Sequence, residues 1–220
     1  MAFTAKDVVT LREMTNAGMM DCKKALNETN GDMDAAVKWL REHGMAQSSK
    51  RSARVASQGM VASYIHMGGK IGVLVEINCE TDFAARSEPF QAFCKDICLQ
   101  VCSVSPRWVT REEVPASVVA AEKEIYMIRA RETGKPEKVL DKIADGMLAK
   151  WYKEVCLMEQ AFVKNPDQTI EQLTKELSGR IGEKIDIRRF VRFQLGEGIE
   201  KKESNLADEV AQAIADAKGN

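Results

Sequence analysis

The chain predicts an α+β protein: a small helical unit at the amino end, then a core built on a three-stranded antiparallel sheet. Three observations lead there. Residues 4–43 carry apolar groups at helical spacing, three short segments alternate in β-branched residues, and two heptad-spaced apolar rows meet at a Gly–Pro turn.

The helical unit comes first. Thr4 followed by Asp7 reads as a cap with an acidic partner three residues on, and Val8, Leu11 and Met14 form the apolar face behind it. Asn16-Ala17-Gly18 breaks the pattern, and a second helix from about Met20 to Glu28 buries Ala25 and Leu26. Asn30-Gly31 is a turn, Asp32 caps a third helix carrying Ala36, Val37 and Leu40, and Gly44 is expected to end it. Residues 1–44 make only a marginal core, which suits a docking module. The Gly18-Met19-Met20 turn places Met19 and Met20 either on a partner surface or in the unit's own small interior.

Residues 45–58 lose periodicity and gain Ser, Lys and Arg, as a linker does. Lys50, Arg51 and Arg54 could touch RNA or an acidic surface, although a solvated basic linker is the commoner case.

Residues 59–220 form the α+β core. Met60 to Met67 alternates as a strand, and Ile71, Val73, Val75 and Ile77 put β-branched groups on one face of the next. Gly68-Gly69 between them signals a hairpin. Residues 187–195 give the third strand, with Ile187, Val191, Phe193 and Leu195 expected on one side. Helices over 87–104 and 168–180 are expected to cover the sheet. A helical hairpin at about 117–154 has Val118, Ala121, Ile125 and Ile128 as one seam and Leu140, Ile143, Met147 and Trp151 as the other. Thr133-Gly134-Lys135-Pro136 stops one helix and starts the next, so the two are antiparallel neighbours.

Composition narrows the function classes. Thirty-two basic and 33 acidic residues leave a net charge of −1, so no global field points to nucleic acid or membrane. No apolar run approaches the ~20 residues of a membrane span. Residues 1–7 lack the layout of a secretory or transit peptide, and a cytoplasmic location is expected. The six cysteines are scattered, as in a reducing compartment. Cys94, Cys98 and Cys102 fall on one helical stripe, which could be a metal or thiol site. Without a nearby histidine or a C-x-x-C, core packing is the better reading.

Phosphate-loop, nucleophile-elbow and zinc-protease motifs are missing, and the only histidines are His43, expected at a helix C-terminus, and His66, in a strand. No enzyme, cofactor or metal is expected. Phe190-Val191-Arg192-Phe193 matches the end of an RNA-recognition signature, but Ile187, Arg188 and Arg189 fail its front half. Direct nucleic-acid binding is therefore not expected. What stands out is Asn78-Cys79-Glu80-Thr81-Asp82-Phe83-Ala84-Ala85-Arg86, where a lone aromatic sits in a polar, acidic turn. Phe83 is either tucked under its own helix or offered to a partner's pocket, and ordinary apolar behaviour favours the tuck.

The ordered set of motifs resembles translation elongation factor Ts of bacteria, in a short form with a single core. The resemblance rests on residues 15–26 (TNAGMMDCKKAL), residues 71–83 (IGVLVEINCETDF), Gly134-Lys135-Pro136, residues 188–193 (RRFVRF) and residues 196–201 (GEGIEK). Asn16 stands where that family commonly has Gly, and Ala84 where it usually has Val. The resemblance implies a ubiquitin-associated-like three-helix domain that docks through Met19 and Met20 on a partner GTPase, elongation factor Tu. It further implies that Thr81, Asp82, Phe83 and Ala84 disturb the partner's magnesium site and so promote GDP release. Under it Phe83 becomes the inserted group, and some short relatives pair as homodimers. A non-catalytic adaptor working through the three-helix unit and the helical arm is the alternative.

Overall fold

The computed structural model describes residues 3–15, 17–51 and 53–199. Asn16, Glu200, Lys201 and the side chain of Lys50 lie outside that description. The helices are α1 (Ala5–Thr15), α2 (Met19–Glu28), α3 (Met33–Arg51), α4 (Asp82–Arg86), α5 (Glu88–Val104), α6 (Ala116–Glu132), α7 (Leu140–Val155) and α8 (Ile170–Ile181). The strands are β1 (Gln58–His66), β2 (Ile71–Cys79), β3 (Ala161–Phe162), β4 (Asn165–Thr169) and β5 (Asp186–Gln194).

The first three helices enclose a core of their own, formed by Val8, Leu11, Cys22, Ala25, Leu26 and Ala36. Its caps are those the sequence specifies. The Thr4 amide donates to Asp7 Oδ2 at 2.7 Å, the Asp7 amide donates to Thr4 Oγ1 at 3.4 Å, and the Ala35 amide donates to Asp32 Oδ1 at 2.9 Å. Met14, expected on the buried face, is exposed near the end of α1.

Gly44 does not end α3, which runs on to Arg51. The glycine serves close packing instead. A β-carbon added at Gly179 of α8 would lie 2.8 Å from Gly44 Cα, so the two helices touch backbone to backbone. Arg41 pairs with Glu176 beside this crossing, and Arg51 Nη1 donates to the Ser178 carbonyl at 3.3 Å. His43 consequently lies inside a helix, stacked on Trp39 with ring centroids 3.6 Å apart, and not at a helix end. Gly179→Val should push α3 off α8 and lower stability by about 1–3 kcal/mol, a typical overpacking cost. Chemical denaturation checks this.

The main sheet has the order β1-β2-β5, antiparallel throughout. Its turn falls where the glycines predicted, but occupies four residues: Met67, Gly68 and Gly69 all adopt positive φ, and the Lys70 amide donates to the His66 carbonyl at 3.1 Å. One face packs on α5 through Val73, Val75, Ile77 and Ile187 against Phe90, Phe93, Ile97 and Val101. Ile170 and Leu177 of α8 join the same interior. A short β3–β4 pair, which the sequence reading did not anticipate, lies beyond the helical arm.

β5 corrects one expectation. Glu76 pairs with Arg189 while the next residue, Ile77, pairs with Ile187, so Arg188 is an extra residue at a bulge. The bulge reverses the alternation. Ile187 faces the core, whereas Val191, Phe193 and Leu195 lie on the open face. It also lets Arg188 and Arg189 both reach Glu76, at 2.7 and 2.6 Å, and these two guanidinium groups hold the Glu76 carboxyl below its ordinary range.

The arm is an antiparallel pair of helices with α6 rotated from the expected seam. Leu140 and Trp151 of α7 are buried as expected, Ile143 and Met147 are only half-buried, and Ala144, outside the expected seam, is fully buried. On α6 the inward groups are Val118, Val119, Tyr126 and Ala130, while Ala121, Ile125 and Ile128 face outward. Tyr126 packs half-buried against the Trp151 cluster, and an aromatic ring there covers more apolar area than an isoleucine would.

Candidate functional site

β2 ends at Cys79, and the chain turns at once into the five-residue helix α4. Thr81 is its N-cap: Oγ1 accepts from the Ala84 amide at 3.2 Å. One helical turn then sends successive side chains in different directions. Ala84 is 6% exposed and packs into the main core, while Phe83 is 80% exposed. Asp82 is partly exposed and pairs with Arg86 at 3.1 Å across one turn, an ion pair worth little at a wet surface. The tucked reading of Phe83 is therefore wrong. Its helix points it outward because Ala84 occupies the inward position.

The base of this turn is held from a distance in sequence. Glu183, just after α8, accepts from the amides of Glu80 and Thr81 at 3.0 Å each and from the Thr81 hydroxyl at 2.6 Å. Glu80 reciprocates by accepting from the Lys184 amide at 2.6 Å, with Arg54 at 3.3 Å beside it. The Lys184 hydrogen bond, with help from Arg54, holds the Glu80 carboxyl below its ordinary range. Cys79 Sγ donates to the Thr81 carbonyl at 3.1 Å. Sequence reading missed Glu183 and Lys184, since nothing in a lone Glu-Lys pair signals a contact about 100 residues away.

Met19 and Met20 open α2, and both side chains are exposed, Met20 to 74%. Met19 edges a hollow formed with Phe3, Val8, Val9 and Lys23. Solvent-facing apolar groups are thus available on both the helical unit and the core.

The cysteine stripe is interior. Cys94, Cys98 and Cys102 line α5 within the main core, and burial pushes the Cys94 thiol up to about 12 and Cys98 to about 11. Thiols so far from ionising are poor nucleophiles. Among the described residues no group of three or more His, Cys, Asp or Glu could hold a metal ion, and no helix is long and apolar enough to cross a membrane. Arg188 and Arg189 are paired with Glu76, and Arg192 with Gln194 and the Cys102 carbonyl. The partial RNA signature on β5 is thus a strand whose cations have protein partners.

Comparison with known proteins gives the family. Residues 4–197 match the family described as Elongation factor TS. The chain is 58% identical to "Elongation factor Ts" of Geobacter sulfurreducens, covering 97% of this chain and 99% of that protein. It is 59% identical to the protein of that name from Anaeromyxobacter dehalogenans strain 2CP-1, over 96% of each. It is 53% identical to that of Heliobacterium modesticaldum, over 96% of this chain and 98% of the relative. The chain belongs to the elongation factor Ts family, and with it to the translation elongation factors.

Proposed function

We propose that the chain is a guanine-nucleotide exchange factor that binds elongation factor Tu carrying GDP, disturbs its magnesium and phosphate site, and so releases GDP for GTP to enter. One observation carries the reading: Phe83 projects almost fully from a turn whose base is held by Glu183. A GTPase grips its nucleotide through backbone amides and Mg²⁺. A ring pushed beside the metal weakens that grip without any bond being made or broken, so the chain needs no catalytic group, cofactor or metal of its own. Linkage sets the scale. Each tenfold loss of nucleotide affinity takes about 1.4 kcal/mol of coupling, and nucleotide weakens factor binding equally.

In this reading Thr81 and Ala84 fix the wedge, while Asp82 and Phe83 meet the partner. The unit of residues 1–44 docks separately through Met19 and Met20, and the work is done in the cytoplasm. The test is the loss of labelled GDP preloaded on elongation factor Tu. An exchange factor hastens it in proportion to its concentration, whereas an adaptor leaves it at the spontaneous rate.

The chain also pairs with itself through the open sheet face. Val61, Ile65, Leu74, Val191, Phe193 and Leu195 leave that face apolar and exposed, and Glu76 with Arg188 and Arg189 gives it both signs of charge. A two-fold partner supplies the same patch, as an isologous contact requires. Phe193→Glu, at a ring 68% exposed, should turn a dimer into a monomer in sedimentation without loss of secondary structure. A monomeric parent chain would contradict the pairing.

A further inference from the structure

We propose that Glu183 is a positioning residue for partner engagement: its carboxylate sets the direction in which Phe83 leaves the surface. The inference rests on the exchange reading above and adds a residue from a different part of the chain.

With 80% of its surface in solvent, Phe83 has little packing to fix it, so its direction comes from the backbone of the turn. That backbone is tied at three points to one side chain. Glu183 Oε2 takes the successive amides of Glu80 and Thr81, and Oε1 takes the Thr81 hydroxyl proton. The last bond also orients the cap. Donating to Glu183 leaves the Thr81 oxygen's lone pairs free to accept from the Ala84 amide, which fixes α4 and the ring it carries.

Glu183 is itself held. α8 stops at Gly182, whose φ of +84 belongs to the left-handed region, and the Gly182 amide donates to the Ser178 carbonyl at 2.9 Å. The buried Ser178 hydroxyl donates to the Glu183 carbonyl at 2.6 Å. A helix end thus presents a charged acceptor to a turn that Ala84 and the Cys79 thiol anchor only further along. The Glu80–Lys184 amide bond, 2.6 Å long, closes the same junction from the other side.

Without the carboxylate, the Thr81 amide and hydroxyl turn to water, because that side of the junction is exposed, while the part-buried Glu80 amide loses its acceptor. The fold survives, but the turn samples more directions, and partner binding must order it again. The effect belongs in kcat/KM for GDP release more than in the melting temperature.

The experiment compares stopped-flow GDP release from preloaded elongation factor Tu for the parent chain, Glu183→Ala, Glu183→Gln, Phe83→Ala and the Glu183→Ala/Phe83→Ala double variant. Glu183→Ala should lose about tenfold in kcat/KM, the scale of one charge-assisted hydrogen bond. Glu183→Gln, which keeps one acceptor oxygen, should recover part of it. The double variant should be no slower than Phe83→Ala alone, since the carboxylate acts through the ring. Amide exchange at Glu80 and Thr81 should quicken in Glu183→Ala at unchanged global stability. Parent-like release by Glu183→Ala, or losses that simply add in the double variant, would overturn the inference while Phe83→Ala remained slow. Parent-like release by Phe83→Ala would instead remove the exchange reading beneath it. If Glu183→Ala failed to fold, Glu183→Gln would carry the same comparison, and parent-like release by it with parent-like exchange at both amides would count against the role.

Discussion

Phe83→Ala should slow GDP release from elongation factor Tu by about thirtyfold, the equivalent of losing one interface hot spot of about 2 kcal/mol. The chain should stay folded. Because the ring is 80% exposed, its removal leaves no cavity, and the cost to stability should stay within about 0.5 kcal/mol. Binding should persist through the other contacts, so the loss appears in the release step at saturating factor. Ala84→Asp provides the contrast. It places a charge in the main core, where Ala84 is 6% exposed, and should unfold the turn and the packing beneath it together. Stopped-flow release with thermal melts of the same samples separates the two outcomes.

Gly59→Ala should lower stability by about 3 kcal/mol, near the upper end for a single substitution. Gly59 lies in β1 opposite Asn78 with φ +140, where a side chain is strained. A β-carbon there would stand 2.1 Å from the Ile77 carbonyl oxygen and 2.7 Å from Asn78 Cα, both backbone atoms of the neighbouring strand. Neither can move without opening the ladder. For a chain of this size the melting temperature should fall by about 6–12 °C. The damage falls next to Glu80 and Thr81, so GDP release should weaken as well. An unchanged melting temperature would show that the two strands are looser than the register describes.

Much of this architecture is legible in the sequence because local signals agree with it. Thr4–Asp7 and Asp32 cap the helices they were expected to cap, and the β-branched run of β2 marks the inner face of the sheet. Three of the misreadings share a cause: each was decided by a contact with another segment. Gly44 looks like a stop until Gly179 is seen against it. Arg188 bulges out of β5 where Glu76 and Ile77 pair on either side of it, which period-two counting cannot foresee. Tyr126 turns α6 away from its isoleucine seam because its ring has a place near Trp151.

The candidate site divides in the same way. Phe83 was visible as an oddity, a large apolar group in an acidic turn, yet residue statistics pointed it inward. Its exposure follows from Thr81 capping α4 and Ala84 filling the inner position, a geometry that depends on how β2 enters the turn. Glu183 could not be found from sequence alone, because its partners are two backbone amides and a hydroxyl about 100 residues upstream.

The structure of the assembly with nucleotide-free elongation factor Tu is the most direct test. The side chain of residue 83 should lie against the partner's metal and phosphate pocket, with Glu183 still holding Thr81. A ring left in solvent, or seated on a surface remote from the guanine nucleotide, would contradict the exchange mechanism.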